Sequence, residues 1–280
     1  MKNCRLICTD IDGTILTSDH RLTPFTAETL RAAEQAGIAV ALVSARMPSG
    51  VRDIAHRIGL TGPIVCYGGG LILQGEKPLF SRALPLDAAE SIWRCGKEHG
   101  LLVHLYEGDS WMAEQIESRT ERESAVLGIR PAVCDFAQVF AGMRAEGRAP
   151  HKMLLMTPDD PARRFCSQLE RTPPEGCEIV ASQRDYYEVM PRGVDKASAL
   201  RALCAMLGIS DGQSAALGDY TSDIPMLRAA GLGIAMGNAP QQVREAADRV
   251  ADSNDADGAA KAIRAFILGA GSGEALFDAQ

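Results

Sequence analysis

Two aspartates, Asp10 and Asp12, stand two residues apart at the end of an apolar run in ICTDIDGTIL (7–16). Crowding like charges is costly unless a cation or a reaction uses them. In an extended segment a spacing of two puts both side chains on one side. One carboxylate could then coordinate a cation and attack, while the other handles protons on the neighbouring atoms. Attack by a carboxylate on phosphorus gives an aspartyl-phosphate, a form of covalent catalysis. A solvated acidic turn at a strand end is the plain alternative. A calcium loop of the helix–loop–helix kind fits worse, because Gly13 comes too early and no Glu closes the loop.

A second acidic pair, Asp219 and Asp223, lies in GDYTSD after another apolar strand, and Pro225 marks the first turn of the helix that follows. Capping and the helix dipole explain either carboxylate alone. Together with Asp10 and Asp12 they could form an oxygen-rich site, and hard oxygen ligands suit magnesium. Lys196 falls in the first turn of a helix, where the dipole disfavours a cation, so a compensating anion is expected nearby. A phosphate between Lys196 and Asp10 would supply one; a solvated lysine is the alternative. In SAR (44–46), Ser44 can offer a hydroxyl to a phosphoryl oxygen, together with nearby backbone N–H groups, that of Ala45 among them. Arg46 could touch substrate or pair with a surface carboxylate. Gly68–Gly70 after Tyr67 could allow close backbone approach or form a flexible turn.

These residues need a scaffold that brings them together. RLICT (5–9), IAVALVSAR (38–46) and PIVCY (63–67) read as buried strands. Between them lie helices over 23–37, where Thr23 suits the N-cap and Pro24 the first position, and over 49–59. Alternating strands and helices predict an α/β parallel sheet covered on both faces, with working residues in loops after the strands' carboxyl ends. The pattern changes near Pro85. Helices over 86–100, 117–127 and 159–170, hairpin strands over 101–114 and 177–190, and a strand over 151–157 predict an α+β insert of roughly 100 residues. After Pro191 the first pattern returns: helices over 195–208, 222–231, 238–248 and 257–266, and strands over 214–219 and 232–237. The expected division is a catalytic core of 1–84 and 191–270, an inserted domain of 85–190 with hinges near 84 and 191, and a flexible Gly-rich tail of 271–280.

The 280 residues are 46% hydrophobic and 23% charged, with a formal net charge of -7. That acidic balance argues against general nucleic-acid binding, which needs a basic surface. The eight cysteines form no C-x-x-C pair and read as reduced core thiols. Neither a signal peptide nor a membrane span is expected, and the cytoplasm is the simplest compartment.

D-x-D-G-T at the N-terminus, S-A-R after the second strand, a helix-borne lysine and G-D-x-x-x-D, in that order, resemble the four motifs of the haloacid dehalogenase superfamily. The position of the insert, with GVDKASAL, GDYTSDIPML, AMGNAP and DSNDADG, resembles its Cof-type phosphatases more closely. The resemblance covers nearly the whole chain. It implies a Rossmann-like core with a mobile cap, and hydrolysis of a small phosphomonoester such as a sugar phosphate. Asp10 would be the nucleophile, and Asp12 would protonate the leaving oxygen and then activate water. Ser44 and Lys196 would hold the phosphoryl group. Asp10, the backbone carbonyl of Asp12 and Asp219 would bind magnesium, with Asp223 supporting directly or through water. Three positions depart from the family pattern: Ala45 where Gly is usual, Ser222 where Asn is common, and Gly68 where Asn is frequent. Arg46 and Ser222 are the candidate substrate contacts. A phosphotransferase or phosphomutase using the same intermediate, and a weakly active sensor of a phosphorylated metabolite, are the alternatives. A monomer would suffice, though a dimer stays open.

Overall fold

The structure is a computed structural model describing Met1 and residues 3–269. The tail expected over 271–280 lies outside the described residues. Along the chain the elements are β1 (Leu6–Thr9), α1 (Pro24–Gln35), β2 (Ala39–Val43), α2 (Pro48–Ile58), β3 (Ile64–Cys66), β4 (Leu71–Gln74) and β5 (Lys77–Ser81). Then come α3 (Leu86–Glu98), β6 (Leu102–Glu107), β7 (Ser110–Ala113), α4 (Ser118–Leu127), β8 (Ala132–Val133), α5 (Phe136–Glu146), β9 (Lys152–Met156), α6 (Asp160–Arg171), β10 (Cys177–Gln183) and β11 (Tyr186–Pro191). The last part holds α7 (Lys196–Leu207), β12 (Ser214–Gly218), α8 (Ile224–Ala229), β13 (Leu232–Ala235), α9 (Gln241–Glu245), β14 (Arg249–Val250) and α10 (Gly258–Ala262). The chain divides into two compact units. One comprises Met1–Ser44, Asp53–Ile64 and the chain from Asp195 onward; the other comprises Ala45–Arg52 and Val65–Val194.

In the first unit the strands run β14-β13-β12-β1-β2, all parallel. Every residue of β1 and β12 is buried, as expected for strands covered on both faces. Leu6, Ile7, Val40, Leu42, Leu217 and Ile234 are all essentially inaccessible, and each such side chain contributes about 1.5–3 kcal/mol by leaving water. The register carries the functional consequence. Thr9 lies opposite both Leu217 and Leu42, and Gly218 opposite Ala235. The chain therefore leaves β1, β2, β12 and β13 along one edge of the sheet.

Local sequence explains the helices that follow. Thr23 caps α1 through the Thr26 N–H, with Pro24 in the first position. Asp195 caps α7 in a reciprocal box with Ser198, and Gly208 closes it in the left-handed region. Two helices expected after residue 221 are shorter than the pattern predicts, and a third changes type. The segment 222–231 opens as a 3-10 turn, Thr221–Asp223, because Asp223 turns back onto the backbone N–H groups of Asp219 and Tyr220. Helix 238–248 shrinks to α9 behind Pro240, which cannot donate a helical hydrogen bond. Helix 257–266 becomes α10 followed by a π-helical stretch, Ile263–Leu268.

The second unit contains the antiparallel pair β4–β5, which the sequence reading missed, and a six-stranded sheet ordered β10-β11-β9-β6-β7-β8. All pairings in that sheet are antiparallel except β7 with β8. Its core joins Trp93, Phe136 and Phe140 from α3 and α5 to Val103, Leu105, Met153, Leu155 and Val189 from the strands. Tyr187 belongs to this core, its hydroxyl 2.9 Å from that of Ser167. The architecture is thus α/β, with a parallel-sheet core and an inserted α+β cap. The eight thiols are free; six are buried, Cys134 is half-buried and Cys95 is exposed. No helix among the described residues is long and apolar enough to cross a membrane.

Candidate active site

The common edge of β1 and β12 brings Asp10, Asp219 and Asp223 together, with a carboxylate oxygen from each within 4.8 Å of the others. Asp10 directly follows β1, and its N–H donates to the Leu217 carbonyl at 3.0 Å. Asp219 directly follows β12. Lys196, in the first turn of α7, reaches back so that Nζ lies 2.5 Å from Asp10 Oδ1 and 2.5 Å from Asp223 Oδ1. This meets the expectation that a first-turn lysine needs an anion. Lys196 is 5% exposed, Asp10 7% and Asp223 0%.

Each carboxylate has distinct surroundings. Asp223 is fully committed: Oδ1 takes the lysine, and Oδ2 accepts the Asp219 and Tyr220 N–H groups at 3.0 and 2.9 Å. Asp219 accepts the Thr14 hydroxyl at 3.2 Å and the Asn238 amide at 3.4 Å. Asn238 also donates to the Gly13 carbonyl at 2.9 Å and accepts the Asn254 N–H at 3.0 Å, tying the loops after β13 and β14 to the β1 turn. Gly13 has φ +75°, and a Cβ there would lie 2.2 Å from Asp219 Oδ2, so only glycine fits. Gly218 is similarly excluded from carrying a Cβ, which would stand 2.5 Å from that of Asp223.

Three carboxylates around one ammonium leave an excess of negative charge in a desolvated place. Burial raises the Asp10 pKa to about 7 against the pull of Lys196, with Asp223 and Asp219 adding to the rise. Burial and Asp223 raise Asp219 to about 6. Burial alone would discharge Lys196, but Asp10 and Asp223 outweigh it and hold the ammonium well above the ordinary lysine value. A divalent cation would relieve the excess, and the all-oxygen donor set fits a hard ion such as magnesium.

The other expected residues fall differently. Asp12 is not in an extended segment beside Asp10, because the chain turns at once after β1. The Ile11 carbonyl accepts the N–H groups of Thr14, Ile15 and Leu16. The Asp12 carboxylate consequently stands outside the three-aspartate cluster, 40% exposed and 3.5 Å from the His20 ring. Ser44 is buried just beyond β2, on the same edge as Asp10. Ala45 and Arg46 belong to the second unit, where the Arg46 carbonyl accepts the Tyr67 N–H at 3.1 Å. Ser222 is exposed on the 3-10 turn between Asp219 and Asp223. The sequence reading did not single out Gly13, Thr14 or Asn238 as site residues, although AMGNAP puts an amide three residues past a strand end. Gly68, at φ +61°, follows Tyr67, itself at φ +53°.

Residues 7–263 match the family model described as haloacid dehalogenase-like hydrolase. A 5-amino-6-(5-phospho-D-ribitylamino)uracil phosphatase of Bacillus subtilis is 28% identical over 266 residues, covering 94% of this chain and 96% of that protein. An HMP-PP phosphatase of Yersinia pseudotuberculosis is 27% identical over 243 residues, covering 86% of each. Among solved structures, a haloacid dehalogenase-like hydrolase from Bacteroides thetaiotaomicron superposes with a TM-score of 0.82 at 27% identity, over 93% of this chain and 98% of that one.

Proposed function

Because the chain belongs to the haloacid dehalogenase-like hydrolases, of Cof type, and its relatives are phosphatases, we propose that it hydrolyses small phosphomonoesters with magnesium through an aspartyl-phosphate on Asp10. Sugar phosphates and similar metabolites are the proposed substrates. The observation that carries this reading is the buried Asp10–Lys196–Asp223 triad with Asp219 beside it. It holds a nucleophilic carboxylate and a fixed cation 2.5 Å apart in a water-poor place, where electrostatic stabilisation is strongest.

A carboxylate oxygen of Asp10 attacks phosphorus, and the bond from phosphorus to the ester oxygen breaks. Asp12 gives its proton to that leaving oxygen. Its carboxylate is 40% exposed, within reach of solvent. Asp12, now ionised, takes a proton from the water that attacks the phosphoryl group, and Asp10 is regenerated as phosphate departs. Lys196, the Ser44 hydroxyl and the Ala45 N–H hold the phosphoryl oxygens; Arg46 and Ser222 meet the rest of the substrate. Asp10, Asp219 and the Asp12 carbonyl would hold magnesium, with Asp223 supporting them. The ion supplies charge neutralisation for the phosphoryl oxygens. Residues 1–84 and 191–270 are read as the catalytic core and 85–190 as the cap that selects substrate. The proposed setting is the cytoplasm, with a monomer as the working form.

Phosphate release from sugar phosphates, nucleotides, pyridoxal phosphate and the substrates named for the two relatives tests the reading. Release that needs magnesium and disappears in Asp10→Asn is expected. Transfer of the phosphoryl group to a sugar without free phosphate would replace hydrolysis by phosphotransfer. Release that persists in purified Asp10→Asn would overturn the assignment.

A further inference from the structure

The segment after Ser44 leads into α2, which begins at Pro48. Met47 precedes the helix and has no side-chain oxygen, Pro48 takes the first position, and the first turn contains no acid. A helix start presents backbone N–H groups outside the helical ladder and a dipole end that favours an anion. An anion reaches this helix start from the turn between β6 and β7. Asp109 Oδ1 accepts the Ser49 N–H at 2.5 Å, and Asp109 Oδ2 accepts from Arg52 Nη1 at 3.1 Å. Arg52 in turn donates from Nη2 to Glu76 in the β4–β5 turn at 3.3 Å.

The turn that presents Asp109 is itself held by buried side chains. Gly108, at φ +52°, donates its N–H to His151 Nδ1 at 3.2 Å and accepts the Tyr67 hydroxyl at 2.6 Å through its carbonyl. His151 stacks on Tyr67 with ring centroids 5.4 Å apart and places Nε2 3.0 Å from the Ser81 hydroxyl. Since Nδ1 accepts, Nε2 carries the proton and donates to Ser81. Tyr67 then closes the circuit, because its own N–H donates to the Arg46 carbonyl. Arg46 is thus gripped on both sides. Tyr67 holds its carbonyl, Asp109 caps the helix that begins two residues later, and Gly108 joins the two grips.

We infer that the Gly108–Asp109 turn is a positioning element for Ala45–Arg46, with Asp109 capping α2 from a distant part of the chain. Asp109 is a positioning residue: it acts through the backbone of α2. The inference rests on the reading of Ala45 and Arg46 as phosphate and substrate contacts.

The test uses the full chain with magnesium and p-nitrophenyl phosphate, in the native protein, Asp109→Ala, Asp109→Asn, Arg46→Ala and the double variant Arg46→Ala/Asp109→Ala. Hydrogen exchange is followed at the amides of 46–52 and at those of β1 and β12. Loss of the cap should lower kcat/KM about five- to tenfold, mainly through KM, as expected for a lost N-cap. Asp109→Asn keeps an acceptor for the Ser49 N–H and should recover most of the loss. The double variant should be no worse than Arg46→Ala alone. Exchange should quicken at 46–52 and stay unchanged in β1 and β12. Native kcat/KM in Asp109→Ala, unchanged exchange at 46–52, or losses that multiply in the double variant would each overturn the inference. A native protein that releases no phosphate, while exchange at 46–52 still responds to Asp109→Ala, would overturn the functional reading and leave the clamp standing.

Discussion

Lys196 and His104 are both buried basic side chains, one in each unit, and they have opposite fates. Lys196 sits between two carboxylates and keeps its charge in spite of burial. His104 lies on β6, 1% exposed, against the Trp111 ring and the Thr120 hydroxyl, with no ion pair to a carboxylate among the described residues. Burial pushes its pKa down to about 4, so it is neutral. Its Nδ1, like the indole nitrogen of Trp111, is buried with no hydrogen-bond partner among the described residues. A buried charge is kept only where opposite charge is built around it. For Lys196 that place is the edge where the parallel strands end, and the cap sheet carries His104 as neutral packing.

The sharpest way to break the comparison is to remove the nucleophile and keep the cluster's shape. Asp10→Asn should lower phosphate release by about 10³-fold or more, read as kcat. Its urea midpoint should not fall, because one of three crowded carboxylates has lost its charge. A coincident loss of stability would show that Asp10 is chiefly a structural partner of Lys196.

Taking away the cation makes the core site resemble the surroundings of His104. Lys196→Met leaves Asp10 and Asp223 buried without their ammonium, and should cost about 3–5 kcal/mol in urea unfolding as well as activity. Native stability in this variant would mean that water already solvates the carboxylates.

Geometry can be spoiled without touching a charge. Gly13→Ala forces a Cβ to within 2.2 Å of Asp219 Oδ2 at a positive φ. It should displace Asp219 and weaken magnesium activation about tenfold or more, read from the metal concentration giving half-maximal rate. An unchanged metal requirement would remove Asp219 from the ligand set.

The effect in the cap is on stability alone and leaves the reaction untouched. The folded His104 pKa of about 4 lies below the 6.5 of the unfolded chain, so the unfolded state takes up the proton first as pH falls. Its contribution to stability is complete above pH 6.5, is lost progressively toward pH 4, and is flat below. The total is on the order of 3 kcal/mol. His104→Phe should flatten that part of the acid-stability curve, measured by urea unfolding between pH 7 and 4.5. A slope identical to the native protein's would assign the acid sensitivity elsewhere.

Much of this was legible in the residues. The buried strands announce themselves as unbroken apolar runs, Thr23, Pro24 and Gly208 mark helix ends, and Glu107–Asp109 marks the β6–β7 turn. The misses have local causes. β4–β5 was hidden because its turn is carried by Gly75 alone among residues without clear alternation. The pattern overextends the helices at 222–231 and 238–248, because Asp223 and Pro240 redirect the backbone in ways that periodicity does not register. The spacing of Asp10 and Asp12 reads as extended backbone, whereas three N–H groups converging on the Ile11 carbonyl make a turn.

The sequence by itself determined which chemistry is possible here: four aspartates, a first-turn lysine and a strand-end serine, each in a recognisable local frame. It also determined that the strands are parallel and buried, since continuous apolar runs joined by helices have few other solutions. Only the tertiary structure decided which carboxylates meet. Lys196 and Asp10 are separated by 186 residues, and the register of β1 against β12, with the reach of α7, brings them to 2.5 Å. The same holds for Asp109 and Ser49, 60 residues apart. Distances between remote segments follow from packing and strand order, which the sequence encodes only through the whole fold, whereas caps, turns and apolar runs are fixed by a few neighbouring residues.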